Sequence, residues 1–146
     1  MQVTFKLTRP NAKAPAYATG GSAAADLCAV LDEPMTLKAG SRAMIPTGIA
    51  IQLPDAGYVA LVCARSGLAV KQGITLSNGV GVIDSDYRGE IQVGLVNLSQ
   101  TDYTIQPGER IAQLMILPVV QAAFAQAEQL DETNRGEGGF GSTGRL

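Results

Sequence analysis

Apolar and polar residues alternate with a period of two along much of the chain. The clearest cases are the segments 3–7 (VTFKL), 49–53 (IAIQL) and 91–95 (IQVGL). This alternation directs every second side chain to one face, which is typical of half-buried β-strands. Turn sequences such as Pro-Thr-Gly at 46–48 and Pro-Gly at 107–108 separate the segments. Many short strands joined by regular turns predict an all-β sandwich or barrel.

Three segments differ from this pattern. Residues 66–73 (SGLAVKQG) predict a short helix with Ser66 as its N-cap and Gly73 as its end. Residues 119–130 are rich in Ala and Gln and have helical propensity, but we predict that the first half forms a strand. Residues 111–120 (IAQLMILPVV) are nearly all apolar, which predicts a strand covered on both faces. The second cover is either the core of a monomer or another subunit.

Composition narrows the functional classes. The chain has 146 residues, a formal charge of −2 and no histidine, and its length fits one domain. The lack of imidazole excludes Ser-His-Asp triads, Cys-His pairs and H-E-x-x-H zinc sites. An enzyme of this composition must transfer protons with carboxylates, tyrosine, lysine or thiols.

Charge and cysteine usage give expectations about partners and compartment. A pI near 5.0 and 5% aromatic residues argue against a nucleic-acid groove, and no apolar run is long enough to span a membrane. Residues 1–13 lack the apolar stretch of a signal peptide. Cys28 and Cys63 have no C-x-x-C spacing. We therefore expect a cytoplasmic protein that binds neither nucleic acid nor membrane.

Three clusters of residues are candidates for chemistry. In 64–68 (ARSGL), an arginine beside a serine and a glycine at a helix start either clamps a phosphate or is a plain helix cap. In 81–90 (GVIDSDYRGE), Asp84 at a partly desolvated strand end is a candidate general base, and a polar turn is the alternative. In 107–113 (PGERIAQ), the Gln113 amide inside an apolar strand needs a partner, but the segment also suits a strand entry with a structural ion pair.

Two further features concern charge and the end of the chain. Asp26 stands among small apolar residues, and a buried charge requires a partner, for which Arg110 is a candidate. The glycine-rich segment 135–146 is unable to build a core, so the β domain is expected over 1–134. The segment is either a disordered end or, with its backbone N–H groups and cationic and hydroxyl side chains, an anion-binding arm.

Taken together, the segments resemble the homotrimeric dUTPase family, the deoxyuridine triphosphate nucleotidohydrolases. Five motifs occur in family order, at 24–27 (AADL), 64–69 (ARSGLA), 81–90, 107–114 (PGERIAQL) and 135–144 (RGEGGFGSTG). The resemblance implies a jelly-roll-like β fold with a flexible C-terminal arm that closes over an active site shared between subunits of a trimer. It also implies Mg²⁺-dependent hydrolysis of dUTP to dUMP and pyrophosphate, which limits uracil in DNA and supplies dUMP for dTMP synthesis.

The resemblance also assigns roles to residues. Asp84 is implied to be the general base for water attack on the α-phosphorus, and Tyr87 to pack under the deoxyribose and exclude a 2′-hydroxyl. Asp26 is implied to reach the Mg²⁺ shell only indirectly, through water. The remaining contacts implied for the substrate are Arg65, Ser66, Gly67, Asn78, Val82, Ile83, Gln92, Gln113, Arg135, Phe140, Gly141, Ser142 and Thr143.

Two alternatives accompany this interpretation. A dCTP deaminase-like enzyme shares the fold and an Arg-Ser motif, although Tyr87 and the glycine-rich arm with Phe140 favour the dUTPase. A non-catalytic β-sandwich module is the second alternative, because a fold alone does not determine function.

Overall fold

The structure, a computed structural model, describes residues 1–139, and β-strands dominate it. The elements are β1 (Thr4–Leu7), β2 (Ala16–Tyr17), β3 (Ala25–Cys28), β4 (Met35–Leu37), β5 (Arg42–Pro46), β6 (Ile49–Gln52), β7 (Tyr58–Ala64), α1 (Ser66–Gln72), β8 (Ile74–Leu76), β9 (Gly81–Ile83), β10 (Gln92–Asn97), β11 (Tyr103–Ile105) and β12 (Arg110–Pro118). The predicted all-β, jelly-roll-like class is confirmed.

Four antiparallel sheets make up the described chain. The largest has five strands in the order β2-β3-β12-β7-β9, and a second has three in the order β5-β10-β8. The pairs β1-β6 and β11-β4 complete the set. Many strands that are neighbours in a sheet are far apart in the sequence, as β3 and β12 are in the five-stranded sheet.

The core lies between the sheets and contains the alternating residues of β6 and β10. Ile49, Ile51, Val93 and Leu95 are all buried, which confirms the alternation in 91–95, whereas in 49–53 the intervening Ala50 is buried as well. The same prediction for 3–7 is wrong in the single chain, where Phe5 is 46% exposed. The reason is that β1 belongs to a two-stranded sheet and pairs only with β6, which leaves its side chains little cover.

The predicted turns contain glycines with positive φ. Gly48 and Gly108 have φ angles of 66° and 75°, in the left-handed region that favours glycine. At Gly48 a Cβ would also lie 2.4 Å from the Cβ of Ala12. Glycine is therefore required at position 48 by both backbone conformation and space.

The predicted helix is present as α1, but its cap differs from the prediction. Gly73 ends it in the left-handed conformation, and its N–H donates to the carbonyl of Ala69 at 3.1 Å. Arg65, not Ser66, occupies the N-cap position in an extended conformation, without a side-chain capping bond. Ser66 is already the first helical residue, so its hydroxyl stands one position too late to act as a cap. Within residues 1–139, no helix has the length and apolar character to cross a membrane.

The prediction of a strand in the first half of 119–130 is wrong. Strand β12 ends at Pro118, whose ring lacks an N–H for the ladder. Val119 donates its N–H to the carbonyl of Gly57 at 2.8 Å, and the chain then continues without regular structure. Phe124 is 99% exposed. In β12 itself, Leu114 is buried on one face of the strand. The other face is only partly covered within the single chain.

Candidate active site

Residues 84–91, here called the site loop, connect two different sheets. Strand β9 pairs with β7 at the edge of the five-stranded sheet, and β10 lies between β5 and β8 in the three-stranded sheet. Strands β9 and β10 therefore do not pair with each other as a hairpin. β10 pairs with β5 over residues 92–96 and with β8 over residues 95–97, whereas β9 pairs with β7.

The site loop and its flanking strands form an open pocket of about 310 Å³. Five of the residues implied by the family motif meet in its walls, namely Val82, Ile83, Asp84, Tyr87 and Gln92. Met44, Glu90 and Ile91 complete the lining, and none of these three was predicted. Asn78 lies in the turn between β8 and β9 and does not line this pocket.

Asp84 stands directly after β9, at the rim of the pocket. Its carbonyl accepts the N–H of Tyr87 at 3.2 Å, which begins the turn of the site loop. The carboxylate is exposed in the single chain, so the expected partial desolvation at this strand end is wrong there. The group is open to water and also borders a second depression lined in part by Tyr58 and Val119.

Tyr87 is held by contacts inside the site loop. Its hydroxyl donates to the carbonyl of Glu90 at 3.0 Å. The ring folds back over Gly89, where a Cβ would lie 2.4 Å from the tyrosine hydroxyl oxygen. Arg88 donates to the carbonyls of Ser85 at 2.7 Å and Tyr87 at 2.9 Å. These bonds give the loop a defined shape, in which Tyr87 is one of the residues that line the pocket.

Glu90 joins the site loop to two other parts of the chain. Its carboxylate accepts the N–H of Gly48 at 2.8 Å and the Nε–H of Arg9 at 2.8 and 3.1 Å. Burial raises the pKa of Glu90, but the hydrogen bonds from Arg9 and Gly48 and the charge of Arg9 bring it below its ordinary value. The group is therefore a carboxylate anchor, with a side chain only 16% exposed.

A second group of predicted residues meets around Asp26 and is called the arginine cluster (Asp26, Arg65, Arg110). Arg110 donates to Asp26 Oδ2 at 3.0 Å, which confirms the predicted ion pair. Arg65 also lies beside Asp26, with its Nε 3.1 Å from Oδ1, and donates through another nitrogen to the carbonyl of Arg110 at 2.9 Å. Two guanidinium groups around one carboxylate leave one excess positive charge.

One oxygen of Asp26 keeps hydrogen-bonding capacity. Although Arg65 Nε lies 3.1 Å from Asp26 Oδ1, the angle does not suit a hydrogen bond, so among residues 1–139 both atoms lack a hydrogen-bonding partner. We take this contact as a Coulombic pair. Asp26 is 8% exposed, and a buried carboxylate oxygen without a donor is unusual.

The other predicted phosphate contacts surround this cluster. Gln113 pairs in register with Asp26 on one side and with Cys63 on the other, so its side chain shares their face of the sheet. Ser66 and Gly67 begin α1 and are exposed. Backbone N–H groups at the start of α1, the Ser66 hydroxyl and the cluster charge thus lie in one neighbourhood.

The two groups of residues lie at opposite ends of the β7-β9 pair. Ile83 pairs with Ala60, so Asp84 comes level with Val59 near the start of β7, whereas Arg65 directly follows the other end of that strand. Strand β7 has seven residues, which corresponds to about 20 Å at 3.3 Å per residue. A single chain therefore does not bring its own pocket and its own arginine cluster together.

The glycine-rich segment is described only at its start. Arg135 is exposed and donates to the carbonyl of Gly138 at 2.7 Å. Phe140, Gly141, Ser142 and Thr143 lie outside the described residues. Within 1–139, no group of three or more His, Cys, Asp or Glu residues is arranged to hold a metal ion.

The residues that sequence reasoning missed lack a local signal. Met44 is on β5 and reaches the pocket only because β5 pairs with β10, with Met44 opposite Gly94. Glu90 belongs to the quoted motif, but its partners Arg9 and Gly48 are 81 and 42 residues away. Long-range strand pairing, which a single sequence does not reveal, creates both contacts.

Comparisons with known proteins point to one family. The dUTPase family model matches residues 10–144. A deoxyuridine 5'-triphosphate nucleotidohydrolase from Burkholderia cenocepacia is 56% identical over 131 residues, covering 90% of this chain and 88% of its own. Another from Paraburkholderia phymatum is 50% identical and covers 99% of both. A dUTPase of Staphylococcus bacteriophage 80alpha, solved with dUpNHpp, has a TM-score of 0.88 at 28% identity and covers 98% of both chains.

Proposed function

The chain belongs to the dUTPase family and hydrolyses dUTP to dUMP, and from this premise we propose that Asp84 is the general base of the reaction. The carboxylate takes a proton from a water molecule as the water oxygen bonds to the α-phosphorus. The bond from the α-phosphorus to the bridging oxygen breaks, and pyrophosphate leaves. The observation that carries this proposal is the position of Asp84 at the rim of a pocket walled by Tyr87 and Gln92.

The pocket is proposed to hold the deoxyribose and the base. Tyr87 packs under the sugar and leaves no room for a 2′-hydroxyl, and a ring fixed at its hydroxyl is suited to such exclusion. Val82, Ile83 and Gln92 are proposed to contact the nucleoside from the flanking strands. Asn78 is proposed to contact the uracil edge, although it lies beside rather than in the pocket of the single chain.

The triphosphate is proposed to bind at the arginine cluster and the start of α1. Arg65, Ser66, Gly67 and Gln113 supply cationic, hydroxyl, backbone and amide donors in one neighbourhood, a combination suited to phosphate oxygens. The C-terminal arm 135–146 is proposed to close over them and exclude water. The arm residues assigned to this role are Arg135, Phe140, Gly141, Ser142 and Thr143.

A homotrimer with shared sites is part of the proposal, and the distance between the two groups supports the sharing between copies. The α-phosphate is joined directly to the nucleoside, so its contacts and those of the sugar must lie within a few ångströms. Because the pocket and the arginine cluster of one chain are about 20 Å apart along β7, a complete site needs the pocket of one copy and the arginine cluster of another.

Mg²⁺ is proposed as the cofactor, and Asp26 fits an indirect role. Asp26 Oδ1 lacks a hydrogen-bonding partner within residues 1–139 but is buried against Arg65, so it would accept a bond from a metal-bound water only where Arg65 moves aside. A single carboxylate flanked by two arginines suits an ion held mainly by phosphates and water, not by a protein cage. When bound, the ion would neutralise the charge that develops on the phosphate oxygens.

A cytoplasmic location is also part of the proposal. Cys28 and Cys63 are both free thiols in the structure, which suits a reducing compartment. Fractionation of the native cells, with detection of the chain by antibody, tests this location.

Labelled water distinguishes the proposed reaction from its alternatives. We expect dUTP hydrolysed in ¹⁸O-water to place the label in dUMP, because attack on the α-phosphorus leaves the new oxygen there. Label in pyrophosphate would mean attack on the β-phosphorus and would contradict the proposal. Release of ammonia from dCTP would favour the deaminase-like alternative, and absence of turnover with either nucleotide would favour the non-catalytic module.

A further inference from the structure

The site loop is shaped by its internal bonds but is located by its external ones. Its internal bonds join Tyr87, Arg88 and Asp84 to loop carbonyls. Such bonds fix the form of the loop without fixing its distance from the rest of the chain. The external contacts therefore decide where the Tyr87 ring stands relative to the other pocket walls.

Most of these external contacts meet at one turn, residues 47–49. Thr47 donates its hydroxyl to the carbonyl of Ile91 at 2.6 Å, and Ile91 donates its N–H to the carbonyl of Ile49 at 2.7 Å. Gly48 donates its N–H to Glu90 and accepts the N–H of Thr8 at 2.8 Å. The turn thus joins the site loop to the segment that follows β1.

Glu90 accepts hydrogen bonds both at its side-chain carboxylate and at its main-chain carbonyl. Its carboxylate is bound by Arg9 and Gly48, while its main-chain carbonyl accepts the Tyr87 hydroxyl at 3.0 Å. The Glu90 carbonyl belongs to the same planar peptide group as the Ile91 N–H, which is bonded to Ile49, so the carboxylate bonds add a second restraint on the acceptor that holds the tyrosine. Arg9 lies just before the segment 10–144 that the family model matches.

The Arg9–Glu90 contact is long-range and partly shielded from water. The two residues are 81 positions apart, and the Glu90 side chain is 16% exposed against 43% for Arg9. Arg9 donates one N–H to both carboxylate oxygens, at 2.8 and 3.1 Å. The positive charge of Arg9 thus contacts the Glu90 carboxylate, which also accepts a hydrogen bond from the Gly48 N–H.

We propose that Arg9 and Glu90 are positioning residues that set the place of the Tyr87 ring and thereby the preference for a 2′-deoxyribose. This inference rests on the proposed role of Tyr87 in excluding the 2′-hydroxyl. Neither Arg9 nor the Glu90 carboxylate needs to touch the substrate. Their loss lets the ring move within its pocket, which weakens sugar packing and admits a ribonucleotide.

Kinetics of the full chain with dUTP and UTP test the proposal. The measured quantity is the ratio of kcat/KM for dUTP to that for UTP in the wild type, Arg9→Gln, Tyr87→Ala and the double variant. We expect Arg9→Gln to lower the ratio about five-fold, mainly through a higher KM for dUTP with kcat nearly unchanged. Arg9→Lys restores most of the ratio, because an ammonium group keeps the charge.

The double variant distinguishes positioning from general stabilisation. If Arg9 acts through Tyr87, adding Arg9→Gln to Tyr87→Ala causes no further loss of the ratio. A merely structural arginine would add its effect in full, and that result would overturn the proposal. Arg42→Gln, which removes an exposed arginine on β5, is the matched control and should leave the ratio unchanged.

Two outcomes separate this inference from the proposed function. If Tyr87→Ala lowers the ratio but Arg9→Gln does not, the positioning role alone is refuted. If Tyr87→Ala leaves the ratio unchanged, the role of Tyr87 fails and this inference fails with it. Should Arg9→Gln not fold, Glu90→Gln, which keeps an acceptor oxygen for Gly48, gives the same test with a smaller expected shift.

Discussion

The pocket and the arginine cluster differ in how they are built. The pocket is assembled by a connection between two sheets, and its tyrosine is fixed by a carbonyl and a neighbouring glycine. The arginine cluster lies within one sheet, where Asp26 and Gln113 are in register on adjacent strands. The pocket thus supplies shape and the cluster supplies charge. Because each stands at a different end of β7, we propose that the pocket of one chain and the arginine cluster of another together form a site.

The largest expected effect comes from removing the base at the rim of the pocket. Asp84→Asn keeps the size of the side chain but abolishes proton acceptance, so we expect kcat to fall about 1,000-fold. Affinity for dUpNHpp, measured by calorimetry, should stay close to that of the wild type. Asp86→Asn, two residues along the same loop, is the control. Equal losses in both variants would contradict the assignment to Asp84.

Mixing two inactive variants tests whether the pocket and the arginine cluster of one site come from different chains. Asp84→Asn damages only the pocket, and Arg65→Ala damages only the arginine cluster. If one site takes these parts from different copies, unfolding and refolding an equal mixture should restore about a quarter of the sites. Activity is compared with each variant refolded alone. No recovery in stable mixed oligomers would mean that each chain builds its own site.

Removing the charge of Asp26 tests the stability of the arginine cluster. Asp26→Asn leaves Arg65 and Arg110 close together without their carboxylate. We expect a loss of about 1–3 kcal/mol in the free energy of unfolding, a range lowered by the exposure of Arg110. Urea denaturation at one protein concentration measures this loss. The exposed Asp131→Asn is the control, and an equally small change in both variants would refute the role of Asp26.

The smallest expected effect is the pH dependence of the stability that the Glu90 carboxylate contributes. The folded-state pKa of Glu90 lies below its ordinary value of 4.5, so its contribution to stability is present above that value. The contribution is lost as pH falls through the lower folded-state pKa. We expect Glu90→Gln to be less stable than the wild type at pH 7 and the difference to shrink below about pH 4.5. A difference that persists at pH 3 would contradict a charge-based anchor.

The sequence predicted best what depends on local pattern. The alternation in β10 and the turns that contain Gly48 and Gly108 follow from periodicity and turn chemistry. The Asp26–Arg110 pair is the exception, because its residues are 84 positions apart and it was predicted from the cost of a buried charge. The predicted burial of 3–7 was wrong because cover depends on neighbours, and β1 pairs only with β6. Met44 and the Arg9–Glu90 contact depend on pairing between distant segments. Pairing between distant segments depends on how all the strands pack together, which the local pattern of one segment does not reveal.

The place of β12 in the five-stranded sheet has a consequence for the order of folding. β12 pairs with β3 and β7, although it is the last strand of the described chain. During synthesis β3 and β7 emerge first, and each has an open edge until β12 arrives. Folding of the sheet therefore waits for nearly the whole chain, a topology that favours slow folding. A nascent chain that stops before Arg110 lacks the central strand of this sheet and exposes two strand edges to aggregation.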